Sequence, residues 1–307
     1  MNPQSESRIL VLGGTGMLGH KMFQLLRKRF PETYCTIRGS IDDFPVRNID
    51  IFHSGHVLEH RDFADLTKLE RLFADHRPQV IVNCVGMIKH RPASKNPITS
   101  IVTNALLPHQ LSAICQRWDA RLIHFSTDCV FSGNRGCYRE DDITDATDIY
   151  GRTKSLGELA SGNALTLRTS IIGRELIHSQ SLLEWLLAQN HQRVRGFRHA
   201  LFSGLTTNRL AELVGDLIER HPHLRGLYQV ASQTISKFDL LCLLRDTYEL
   251  DIEILSDDEF FCDRSLRGDK FEAATGYVCP SWRELTVELA NDDTPYEEWR
   301  SVKNEVL

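Results

Sequence analysis

Residues 13–19 read GGTGMLG, a glycine-rich turn between the apolar run Arg8–Leu12 and a segment of helical spacing, Met17–Phe30. Gly13, Gly16 and Gly19 keep the spacing G-x-x-G-x-x-G. The first glycine permits a tight turn, the second lets backbone approach a pyrophosphate, and the third lets the helix pack closely on its strand. Free N–H groups at the start of that helix suit an anion. With a strand entering and a helix leaving, the turn reads as dinucleotide-binding rather than as a plain loop. Thr15, Met17 and Leu18, inside the same turn, are expected to touch the cofactor with the glycines.

Strand-like and helix-like segments go on alternating through the first 170 residues. Tyr34–Arg38, Gln79–Val85, Arg121–Ser126 and Ala164–Thr169 read as strands. Leu66–His76, Pro97–Trp118 and Ile149–Ala160 read as helices, the second with a kink or turn at Pro108. This rhythm implies parallel βαβ units and an α/β fold, a Rossmann-like doubly wound parallel sheet. Beyond Ser170 the pattern loosens. Helices are expected near 181–189, 208–220 and 237–248, and strands at 226–230 and 252–255. A polar tail follows, with Trp282 and Trp299 as anchors.

Composition excludes several classes. The 307 residues are 41% hydrophobic and 25% charged, with a net charge of −5, which argues against long disorder and against nucleic-acid binding by bulk charge. No apolar run reaches the ~18 residues of a membrane span, and Met1–Arg8 is polar, unlike a secretory signal. The eight cysteines form no C-x-x-C pair, so free thiols in a reducing, cytoplasmic setting are expected. His53, His56 and His60 have helical spacing, but Gly55 interrupts them and no metal site is expected.

The cofactor's identity follows from the second strand. It ends in Arg38, Gly39 and Ser40, without the acidic residue that holds a free ribose in NAD-binding proteins. A guanidinium there suits a 2′-phosphate, so NADP(H) is favoured over NAD(H). Asp62 and Phe63 fall where a third strand should end and could meet the adenine.

Tyr150 and Lys154 lie four apart in YGRTK, on one helix face. A free phenol titrates near ~10 and is a poor acid–base group at neutral pH. An ammonium ~4 Å away at an effective dielectric of ~20 contributes about 4 kcal/mol before desolvation losses. The spacing therefore predicts a phenol lowered toward working pH. Upstream, Ser126, Thr127 and Asp128 follow a central strand, where ligands of parallel sheets sit. A hydroxyl there, a tyrosine and a lysine together suit the reduction of a carbonyl.

The set GGTGMLG, VNCVG, STDCVFSG, YGRTK-x-x-GE and LRTS resembles the extended short-chain dehydrogenase/reductases. It is most similar to the dTDP-4-dehydrorhamnose reductase family. The likeness is strong over Arg8–Gly173 and weaker at SGLTT, GLYQVAS and DRSLRGDKF. The resemblance implies that NADPH reduces the C4 ketone of a nucleotide-linked 4-keto-6-deoxy sugar, in the making of surface-polysaccharide sugars. Tyr150 would then protonate the alkoxide, Lys154 would hold the nicotinamide ribose, and Thr127 would hydrogen-bond the ketone or the phenol. Asn83, Cys84, Val85 and Gly86 would run along the cofactor, and Thr169 and Ser170 would lie near the nicotinamide. Asn104 would be structural. Residues 1–170 with about 204–232 would form the NADP-binding domain. About 171–203 and 233–307 would form a smaller C-terminal α/β substrate-binding domain. A homodimer through the helices of Asn104 and Tyr150 is a further implication.

Departures from the family fall on the sugar side, at Met87, Cys129 and Ile171, next to Asp128. Cys129 stands in place of a tyrosine and Ile171 in place of a tryptophan, so the sugar need not be the rhamnose precursor. Two rivals remain. A dehydratase or epimerase of the same fold is one, although dehydratases carry glutamate where Cys129 stands. A non-catalytic NADP-binding regulatory subunit, as in methionine adenosyltransferase, is the other.

Overall fold

The computed structural model describes residues 7–43, 46–59, 63, 65–88, 96–177 and 179–301. Short apolar runs form its central strands: β1 (Ile9–Leu12), β2 (Thr33–Ile37), β3 (Val57–Glu59), β4 (Val80–Asn83), β5 (Arg121–Ser126) and β6 (Ala164–Arg168). The chain then leaves for β7 (Ile171–Ile172), β8 (Arg193–Phe202) and β9 (Leu205–Thr206), and returns as β10 (Gly226–Gln229) beside β6. The resulting sheet has the order β10-β6-β5-β4-β1-β2-β3, and every pair is parallel.

β1, β4, β5 and β6 are buried throughout, as strands covered by helices on both faces must be. On one face lie α1 (Met17–Arg29) and a later helix, Thr207–Glu219, where Met22, Phe23 and Leu26 meet Leu210, Val214 and Leu217 in one core. On the other lie α2 (Leu66–His76) and the 97–117 segment, which bury Leu69, Phe73, Leu111 and Ile114 against Leu10, Leu12, Ile81 and Leu122.

The segment expected as one kinked helix is three pieces: α3 (Pro97–Ser100), a π-helical stretch Ile101–Leu106, and α4 (Leu107–Arg117). Pro108 has no N–H for the carbonyl four residues back, and the wider π turn absorbs its ring. α5 (Ile149–Leu156) starts at Asp148, whose carboxylate accepts the Gly151 N–H at 2.9 Å.

The smaller unit is a mixed sheet in which β8 pairs antiparallel with β11 (Ile235–Ser236) and parallel with β12 (Glu253–Asp263). β8 and most of β12 escape the sequence reading. Their outward faces carry Arg193, Arg195, Glu253 and Asp257 in cross-strand ion pairs, so little apolar alternation marks them. α6 (Leu182–Leu187), α7 (the helix Thr207–Glu219 above) and α8 (Lys237–Thr247) follow in chain order.

The expected polar tail is corrected to three helices: α9 (Asp269–Thr275), α10 (Trp282–Ala290) and α11 (Tyr296–Ser301). α10 opens on a capping box between Ser281 and Glu284, and Trp282 enters the small core with Leu183, Leu186, Leu240 and Leu285. Residues 292–296 dock on α1. Lys21 and Asp292 form a buried ion pair of 2.6 Å, and His20 Nε2 lies 2.8 Å from the Tyr296 hydroxyl. All eight cysteines are free thiols. Among the described residues no helix is long and apolar enough to cross a membrane.

Candidate active site

The glycine turn is held by the second strand. Gly13, at φ +86°, donates its N–H to Thr36 Oγ1 at 3.1 Å, and Gly14 N–H donates to the Thr36 carbonyl at 2.7 Å. Gly16 is the N-cap of α1 and supplies no side-chain cap, so the first N–H groups of the helix are left to an outside acceptor. A Cβ on Gly19 would fall 2.0 Å from the Gly13 carbonyl oxygen. The third glycine is therefore a packing requirement of turn on helix.

Two adjoining hollows run along the carboxyl ends of the strands and share Gly16, Cys84, Val85 and Gly86. The first, about 340 Å3, reaches Gly13, Thr15, Arg38, Phe63 and Met87. The second, about 380 Å3, reaches Met17, Leu18, Thr127, Asp128, Cys129, Tyr150, Lys154, Thr169, Ser170 and Ile171. Most of the residues singled out in the sequence thus line one trough. Ser40 stands off it, with its hydroxyl on Glu59 and its N–H on Asp43. Asp62 lies outside the described residues, as does His60. Met87, expected on the sugar side, lines the first hollow rather than the second. His53 and His56 each spend a ring nitrogen on a backbone carbonyl.

The three reactive side chains come from two elements. β5 ends in Ser126, and the turn after it is capped by Thr127, whose Oγ1 accepts the Cys129 N–H at 3.1 Å. α5 packs directly onto this turn. A Cβ on Gly151 would sit 2.1 Å from the Cys129 carbonyl oxygen, so only glycine lets the helix come so close. Tyr150 and Thr127 line the same hollow, and the Thr127 hydroxyl favours the ionised form of the phenol. Lys154, nearly buried, donates from Nζ to the Phe125 carbonyl at 2.5 Å.

The electrostatics differ from the sequence expectation. Burial pushes the Tyr150 phenol up, Cys129 adds to this, and the Thr127 hydrogen bond opposes it. Burial lowers Lys154 itself to about 8, with Glu158 acting in the other direction. The ammonium spends its hydrogen bond on β5, and the phenol sits in its neutral, proton-bearing form.

Three neighbours of the site, Glu158, Arg264 and Lys237, were not selected from sequence. Glu158 accepts from Ser126 Oγ at 2.6 Å and from Arg168 Nε and Nη2 at 2.9 and 2.7 Å, tying the ends of β5 and β6 to α5. The signal for it was the Gly-Glu pair after YGRTK. Arg264 Nη1 lies 3.7 Å from Cys129 Sγ, and its Nε donates to the Phe131 carbonyl at 2.9 Å. Burial brings Lys237 down to about 8, against the attraction of Asp128 and Cys129. Asn83 reaches His124 at 3.1 Å. Arg264 and Lys237 stand more than a hundred residues from Asp128 and Cys129, which they neighbour, and no local pattern marks them.

A parallel sheet with this glycine turn, a hydroxyl after β5 and a Tyr-x-x-x-Lys helix beside it define an extended short-chain dehydrogenase/reductase fold. The RmlD substrate binding domain family matches residues 7–294. The chain belongs to that family.

A dTDP-4-dehydrorhamnose reductase of Streptomyces griseus is 33% identical over 161 residues, 52% of this chain and 46% of that protein. The chain thus spans about half the length of such curated relatives. Methionine adenosyltransferase 2 subunit beta of Xenopus tropicalis is 23% identical over 258 residues, 79% of this chain and 72% of that one. Among solved structures, a dTDP-4-dehydrorhamnose reductase from Bacillus anthracis in complex with NADP superposes with a TM-score of 0.75 at 20% identity, over 92% of this chain and 98% of that one. At that identity the likeness is one of fold.

Proposed function

We propose that the chain is an NADPH-dependent reductase of the C4 ketone of a nucleotide-linked 4-keto-6-deoxy sugar. The observation that carries the reading is the convergence of Thr127, Tyr150 and Lys154 on the wall of the second hollow, at the carboxyl end of β5. The family and the reductase relatives support it.

The trough fits the cofactor. The uncapped start of α1 suits the pyrophosphate, Arg38 the 2′-phosphate, and Cys84–Gly86 the length between the two hollows. When bound, NADPH supplies a hydride. Thr127 orients the ketone oxygen through its hydroxyl. Tyr150 Oη holds the proton that the new alkoxide takes, and the protonated phenol is the form a reductase needs at the start of a turnover. Lys154 keeps a positive charge beside the site and, with a ribose in place, a donor for its hydroxyls. Cys129 and Ile171 shape the sugar side with smaller side chains than the family pattern has.

In this reading residues 1–170 and about 204–232 hold the cofactor, and the remainder grips the nucleotide sugar. The protein works in the cytoplasm, as a homodimer. The experiment is NADPH oxidation followed by absorbance, with a panel of nucleotide-linked 4-keto-6-deoxy sugars made in situ. Turnover of one of them supports the reading. NADPH binding by calorimetry without turnover on any of them would reject it, in favour of a non-catalytic subunit. The long match to a methionine adenosyltransferase beta subunit is what keeps that second reading in view.

A further inference from the structure

At the opposite end of the large sheet from the glycine turn, the starts of β4, β5 and β6 border a separate cavity of about 240 Å3. Two guanidiniums, Arg121 and Arg225, stand in its wall. Arg121 is 6% exposed. Its Nη1 donates to the Leu217 carbonyl at 2.8 Å and its Nη2 to the Leu224 carbonyl at 3.1 Å. Its Nε is buried and donates to nothing. Arg225 Nη1 donates to the Pro222 carbonyl at 2.6 Å and to the same Leu224 carbonyl at 2.9 Å. The two cations are therefore held side by side on a shared acceptor.

No carboxylate among the described residues is paired with either. Asp119 lies on the wall but exerts no resolved pull on Arg121, whose charged neighbour is Arg225. Several other buried or half-buried guanidiniums have a carboxylate. Arg168 is paired with Glu158 at 2.7 Å, Arg174 and Arg300 with Glu184 at 2.8 Å each, and Arg209 with Glu288 at 2.7 Å. Burial, and then repulsion from Arg225, bring Arg121 down to about 9, and burial lowers Arg225 as well. Carbonyl dipoles fix the planes of the two groups without cancelling their charge, and an uncompensated buried charge is costly. A guanidinium pair with free N–H edges in a concave wall matches a tetrahedral oxyanion, which accepts several charge-assisted hydrogen bonds at once.

We propose that this cavity is a binding site for a small tetrahedral oxyanion of phosphate size, held between Arg121 and Arg225 and distinct from the cofactor trough. Asn163, on the same wall, adds a polar side chain. The site lies at the far end of β5 from Thr127, so occupant and reacting groups share one strand without touching.

The test is calorimetric titration of the full chain with inorganic phosphate at constant ionic strength. NADP is kept in excess, so that phosphate does not enter the glycine turn. The wild-type chain should bind phosphate, and Arg225→Met should bind it about tenfold more weakly or not at all. Asn163→Asp, which puts a like charge on the wall, should weaken it too. Each variant is compared with its own melting temperature in chloride, so a loss of fold is read separately from a loss of binding. Phosphate binding unchanged in both variants, or a response that chloride reproduces, would overturn the proposal and leave the arginines as a cap on the carbonyls that end α7.

Discussion

Asn104 holds the Met87 backbone at both of its hydrogen-bonding groups. Its Oδ1 accepts the Met87 N–H at 2.8 Å, and its Nδ2 donates to the Met87 carbonyl at 3.0 Å and to Thr153 Oγ1 at 3.2 Å. One buried carboxamide thus fixes the strand end that lines the first hollow and, through Thr153, the helix that carries Tyr150 and Lys154. Asn104→Ala leaves the Met87 N–H and carbonyl short of a partner, at about 1–3 kcal/mol for each that stays unsatisfied, while Thr153 keeps the Ile149 and Tyr150 carbonyls. We expect a lower melting temperature and a kcat/KM reduced by about tenfold or more. Full activity at unchanged stability would show that the segment holds its shape without the carboxamide.

Tyr150→Phe removes the phenol hydroxyl and its proton and keeps the ring. Turnover should fall by about 10²–10⁴-fold, the usual worth of a positioned acid, while NADPH affinity by calorimetry stays nearly unchanged. Retained turnover would remove Tyr150 as the proton donor.

Arg38 is exposed at the end of β2 and reaches the first hollow. Arg38→Asp should lower the preference for NADPH over NADH by about tenfold or more, by exchanging a cation for an anion beside the 2′-phosphate. The measurement is the ratio of kcat/KM for the two cofactors. An unchanged ratio would move the recognition of that phosphate elsewhere.

Lys154 titrates at about 8 because burial outweighs the pull of Glu158. If its charge is needed, kcat/KM should fall as pH rises through about 8. Glu158→Gln should move that limb to lower pH by removing the opposing carboxylate. The sign for stability is the reverse. Between about 8 and the ordinary value of 10.5 the unfolded chain binds a proton at this lysine that the folded chain does not. Unfolding free energy therefore rises with pH across that window, and Lys154→Met should flatten the rise. An alkaline limb that persists in Lys154→Arg at the same pH would assign it to another group.

The first half of the chain was legible because its strands are continuous apolar runs and its chemistry sits in local spacings: three glycines, Thr127 after β5, and Tyr150 with Lys154. What failed was of two kinds. β8 and β12 are edge-rich strands whose outward residues are charged, so alternation is masked by ion pairs such as Arg193–Glu253. The last helices are short and polar on the outside, and contacts remote in sequence hold them in place, among them Lys21–Asp292 and His20–Tyr296, about 270 residues apart. Within the site, Arg264 and Lys237 were invisible for the same reason. The charge state of Tyr150 was misjudged because a spacing of four gives proximity on a helix but not the burial that governs both groups.

The return of β10 to the edge of β6 has a consequence for how the protein can be made. Arg168 and Gln229, the last residues of those strands, are partners in register, and the excursion through β7, α6, β8 and α7 lies between them. During synthesis from the amino terminus, the seventh place in the large sheet stays vacant until Gln229 has emerged, long after the glycine turn and the tyrosine helix. Until then β6 presents an open edge to its surroundings. A nascent chain stalled near residue 200 would therefore carry every reactive group of the trough on a scaffold that has not yet closed.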